Sequence, residues 1–85
     1  MQHINDDGYD AAIIATCDWA LKPQTWVYEN NWSPCQDTDG IYTRPGDVTA
    51  CRFLNGVYGW QWVHFSAGWQ QFRDGTDMYC VSQKA

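Results

Sequence analysis

Basic residues are scarce in this chain and glutamate scarcer: five Lys and Arg stand against ten Asp and Glu in 85 residues, and Glu29 is the single glutamate. A net charge of −5 with so few cations argues against a nucleic-acid or anionic-membrane binder, because phosphates must be met by Lys or Arg. Paired glutamates, a Gly-rich phosphate loop and a reactive-cysteine motif are missing too, so acid–base, phosphoryl and thiol chemistry lack their usual residues. Neither C-x-x-C nor H-x-x-x-H occurs, and the gaps between cysteines are too long for a zinc site, so no metal or cofactor is expected. The apolar run at residues 11–15, AAIIA, is too short to span a membrane. The start, MQHINDDGYD, is too acidic and polar for a secretory signal, so Met1 reads as an initiator before a mature domain.

Against these absences stand four cysteines and six tryptophans. A chain of this length makes one domain with a marginal core, and disulfides are the usual remedy. Cys17, Cys35, Cys51 and Cys80 allow three connectivities, which the sequence does not decide; Cys17–Cys35 with Cys51–Cys80 is favoured because each closes a loop of moderate size. Each bridge contributes about 3 kcal/mol and implies an oxidising, extracellular setting.

Turn signals divide the chain into short strands. Residues 1–9 read as a flexible start, with 10–85 as a single β domain. From Ala11 to Leu21 helical and strand periodicities both fit, and the strand is chosen because the rest reads β. Thr25–Glu29 and Ile41–Thr43 are strands around a long loop, Asn30–Gly40, whose Trp32 is expected to be the most exposed tryptophan. Asp47–Phe65 is the strongest hairpin, turning at Asn55-Gly56, and Trp69–Arg73 and Thr76–Ser82 follow around a turn at Asp74-Gly75. The expected fold is all-β: a small, disulfide-stapled antiparallel β-sandwich or barrel of about six strands, monomeric.

A two-residue type I′ turn at Asn55-Gly56 sets Leu54 opposite Val57, Phe53 opposite Tyr58, Cys51 opposite Trp60, Thr49 opposite Trp62 and Asp47 opposite His64. Tyr58, Trp60 and Trp62 then either form an outward platform or pack inward against Cys51. The inward arrangement is favoured, since large aromatics are mostly buried and Arg52 and Gln61 are costly inside.

Catalytic readings fail on context. Asp47, His64 and Ser66 lack a nucleophile elbow and an oxyanion nest, so no catalytic residue is assigned. Asp37, Asp39 and Asp47 lack the later glutamate of a calcium loop, and turn chemistry accounts for them. Asn31-Trp32-Ser33 matches a glycosylation acceptor, but Pro34 follows it directly.

Trp26-Val27-Tyr28, six residues before Cys35, resembles the Trp-Arg-Tyr triplet of the tendamistat-type α-amylase inhibitors. Pro45-Gly46 and Gly56-Val57-Tyr58-Gly59 are similar to two later segments of that family, although Val27 stands where the family has arginine. The resemblance implies a small secreted β-sandwich with first-to-second and third-to-fourth disulfides, Trp26 and Tyr28 making the inhibitory contacts. The leading expectation is therefore a secreted, non-enzymatic module binding a protein target, as inhibitor of a hydrolase, through Trp26, Tyr28, Trp32 and Arg44. A carbohydrate-binding module using Tyr58, Trp60, Trp62 and Trp69 is the alternative, and a small secreted toxin or effector the third.

Overall fold

The computed structural model describes residues 2–8, 12–35, 37–72 and 75–84. Among them eight strands form and no helix: β1 (Ile4–Asp6), β2 (Ile13–Thr16), β3 (Thr25–Val27), β4 (Gly40–Thr43), β5 (Asp47–Asn55), β6 (Gly59–Phe65), β7 (Gly68–Gln71) and β8 (Met78–Lys84). They build two four-stranded sheets, a front sheet in the order β1-β8-β5-β6 and a back sheet in the order β3-β2-β4-β7. The result is the expected disulfide-stapled β-sandwich, with Cys17 bonded to Cys35 and Cys51 to Cys80.

Two expectations about the chain's start are corrected. Residues 2–8, read as part of a flexible lead-in, carry β1, whose three residues are all buried. Its pairing with β8 is parallel, so the sheets are not wholly antiparallel. Ile4 faces inward and is fully buried, which compensates for the ordering of a short terminal strand. The ambiguous stretch from Ala11 does contain a strand, but it ends at Thr16. Asp18 then accepts hydrogen bonds from the amides of Ala20 and Leu21, and the Lys22 amide donates to the Asp18 carbonyl, closing a turn.

Alternation in each strand sends one set of side chains between the sheets. That inner layer consists of Ile4, Ile13, Ala15, Val27, Ile41, Met78 and the Cys51–Cys80 bridge, flanked by half-buried Phe53, Val63, Phe65 and Phe72. Thr43 and Thr49 are buried from opposite sheets and share a 2.7 Å hydroxyl–hydroxyl hydrogen bond. No tryptophan belongs to this core.

The sandwich is stitched along one edge. The strand expected to reach Glu29 ends at Val27, and Glu29 with residues 30–33, expected to start a long loop, runs beside β1: the Asp6 amide donates to the Asn31 carbonyl, Asn30 to Asp6 and Ser33 to Ile4. Asn30, at φ 61°, turns the chain from β3 into this path, a backbone region that asparagine tolerates better than most residues. Trp32 is thereby carried from the back sheet to the front one.

Candidate aromatic binding face

The hairpin register decides which side the tryptophans occupy. Neither Asn55 nor Gly56 is left-handed; instead Gly59 is, at φ 78°. The Asn55 side chain accepts from the amides of Val57 (2.8 Å) and Tyr58 (3.2 Å), holding Gly56, Val57 and Tyr58 as the turn. Leu54 therefore pairs with Trp60, Arg52 with Trp62, Ala50 with His64 and Cys51 with Val63, in place of the expected partners of a type I′ hairpin. The register differs by an odd number of residues, which moves the β6 side chains to the other face. Trp60 and Trp62 project outward, 52% and 53% exposed, and the inward packing against Cys51 is overturned. Val63 and Phe65 face the core instead.

The outer face of the front sheet is then a strip of rings around one cation. Tyr79 pairs with Arg52 and with Asn5, and its ring centroid lies 5.2 Å from that of Trp32 and 6.0 Å from that of Trp60. The Arg52 guanidinium sits 4.7 Å from the Trp60 ring centre and 4.5 Å from that of Tyr79, and reaches Asp7 at 3.1 Å. Trp62, two residues along β6 from Trp60, extends the strip by about 7 Å. Trp32 is 42% exposed, less than Trp60 or Trp62, so it is not the most exposed tryptophan.

The back sheet carries a second aromatic set. Trp26, Ile14, Tyr42 and Trp69 occupy one row across β3, β2, β4 and β7. Tyr42 and Trp69 lie 5.2 Å apart, and Trp19 meets Trp69 edge-on at 6.1 Å. Gly40 makes room for Trp19, since a Cβ there would come within 2.7 Å of the indole and 2.6 Å of the Gln70 carbonyl oxygen. Lys22 lies 4.5 Å above the Trp19 ring, and Arg44 lies 5.9 Å from that of Trp26 while bonding Asp47 and the Ala12 carbonyl.

The expected site residues are thus redistributed. Of the inhibitor set, Trp26 and Arg44 share the back face, Trp32 belongs to the front face, and Tyr28 is 61% exposed on the segment joining them. Of the sugar-binding set, Trp60 and Trp62 come together, Tyr58 sits in the turn, and Trp69 lies on the opposite sheet. Tyr79 and Arg52 escaped the sequence reading. A cross-strand Cys51–Cys80 bridge was the signal that could have found them, because it sets their neighbours Arg52 and Tyr79 opposite each other on the outer side.

No family model, no curated protein and no solved structure matches this chain.

Proposed function

We propose that this protein is a secreted, non-enzymatic carbohydrate-binding module whose site is the outer face of the front sheet. The observation that carries this reading is the alignment of Trp32, Tyr79, Trp60 and Trp62 on one face, with Trp60 and Trp62 more than half exposed. Exposed indoles lose solvation free energy that burial would recover, so an uncovered strip on a small domain points to a ligand. Sugar rings offer flat C–H faces that stack on aromatics, and their hydroxyls bond the polar groups between. Two disulfides are compatible with an extracellular protein and keep the strip rigid, which lowers the entropy lost on binding. Tryptophan fluorescence titrated with a panel of oligosaccharides tests the proposal. A saturable shift lost in a W60A/W62A variant is expected, and no shift with any sugar overturns it.

A second reading, inhibition of a secreted hydrolase, is favoured by the run of Trp26, Tyr28 and Trp32 around the stitched edge, with Arg44 beside Trp26. Trp, Tyr and Arg dominate the energetics of protein interfaces. Inhibition of a hydrolase panel that is abolished by W26A/Y28A and untouched by W60A/W62A would select this reading over the first.

A further inference from the structure

Arg52 and Asp7 are a charged pair placed in the middle of the aromatic strip by backbone ladders. Arg52 stands opposite Tyr79 in the β5–β8 pairing, and the Asp7 amide donates 2.8 Å to the Cys80 carbonyl, fixing Asp7 just beyond β1 on the same outer side. The guanidinium is held against two rings, Trp60 and Tyr79, so much of its side-chain freedom is already lost before a ligand arrives. Both groups remain open to water, with side-chain exposures of 28% for Arg52 and 40% for Asp7. Among the described residues their mutual 3.1 Å contact is the single side-chain hydrogen bond either makes. Guanidinium offers five N–H donors and carboxylate about four acceptor sites, so most of that capacity has no partner among the described residues.

An exposed ion pair of this kind contributes only about 0–1 kcal/mol to stability, and each ring contact of the guanidinium about 0.5–1 kcal/mol, so packing holds Arg52 in place while leaving the polar edge of the pair free to meet a ligand. Its chemistry matches a particular ligand. Two adjacent sugar hydroxyls can satisfy both partners at once, one donating to the Asp7 carboxylate and the other accepting from Arg52. A carboxylate or sulfate on the sugar could reach Arg52 only by displacing Asp7 and against the chain's overall charge of −5, and an amine could reach Asp7 only by displacing the Arg52 cation, whereas neutral hydroxyls leave the pair intact. We infer that the Arg52–Asp7 pair is the specificity element of the front face, selecting uncharged glycans that present a vicinal diol to a sugar unit stacked on Tyr79 and Trp60. This inference rests on the carbohydrate reading of that face.

The experiment uses the full chain and calorimetric titration with short oligosaccharides of neutral hexoses, the corresponding uronates, and the 2-deoxy and 3-deoxy counterparts of the tightest neutral binder. The wild type should lose about tenfold to a hundredfold in affinity on removal of one hydroxyl, the range for hydrogen bonds to charged groups. In D7N and R52Q that discrimination should shrink to within about threefold, while the tryptophan fluorescence shift persists because the rings remain. Circular dichroism of both variants verifies that they fold. Discrimination unchanged in D7N and R52Q, or uronates binding as tightly as neutral sugars, overturns the assignment of the pair while leaving the aromatic site standing. A wild type that binds no sugar at all overturns both.

Discussion

Arg52 stands directly opposite Tyr79, one position out from the Cys51–Cys80 bridge, and its guanidinium lies 4.5 Å from the centre of the tyrosine ring. The two pairs share one ladder but point to opposite faces. Sulfur fills the interior between the sheets, and the cation and ring stand outside it. The bridge thereby does more than restrain the unfolded chain: it holds the register that aligns the outer strip.

Replacing both cysteines of that bridge should be more costly than replacing the other pair. C51A/C80A is expected to lose about 3–4 kcal/mol and C17A/C35A about 3 kcal/mol from loop entropy alone. The sequence separations are 29 and 18, and Cys51 and Cys80 are fully buried whereas Cys17 is exposed, so the first variant also leaves a packing defect. Urea denaturation of the two double variants measures the difference.

W60A/W62A should remain folded. Both rings are more than half exposed, so the pair of substitutions is expected to cost about 1–2 kcal/mol in stability. Glycan affinity should fall by about tenfold or more if the strip is the site. Thermal melts alongside the fluorescence titration separate the two effects.

The threonine pair between the sheets offers a direct test of buried polar satisfaction. T43V leaves the Thr49 hydroxyl without its 2.7 Å partner and should cost about 1–3 kcal/mol. T43V/T49V removes both groups and is expected to be less destabilised than the sum of the single changes, a coupling that a double-mutant cycle from urea melts reads directly.

Asp6 sets a pH dependence. Burial pushes its carboxyl above the usual aspartate range, helped by the nearby charges of Glu29 and Asp7, while hydrogen bonds from the Gly8 and Ile13 amides pull the other way. The folded state therefore holds this proton more tightly than the unfolded state. Its contribution is fully present below the ordinary aspartate value and is lost as pH rises through the raised one. D6N cannot ionise, so its stability relative to wild type should rise as pH climbs from the ordinary aspartate value through the raised one and then level off; urea midpoints across the acid-to-neutral range check this.

Much of the architecture was legible from local patterns. Alternation at Ile13 and Ala15, the Thr25–Glu29 run, whose first three residues form β3, the Ile41–Thr43 run and the long hairpin all mark strands by period and by turn residues. β1 was not legible, because Ile4-Asn5-Asp6 has no pattern of its own and becomes a strand only by pairing with β8, far away in the chain.

By itself the sequence determined an all-β domain with four cysteines suited to two bridges and six tryptophans to place either inside or outside it. Which face those tryptophans take was decided only in three dimensions. Asn55 spends its side chain on the Val57 and Tyr58 amides, Gly59 takes the left-handed position, and the register shifts by an odd number of residues. The physical reason lies in the space between the sheets, roughly 10 Å deep, already filled by isoleucines, Met78 and the Cys51–Cys80 bridge. Val63 and Phe65 fit against that layer from β6, and the indoles of Trp60 and Trp62 turn outward to solvent.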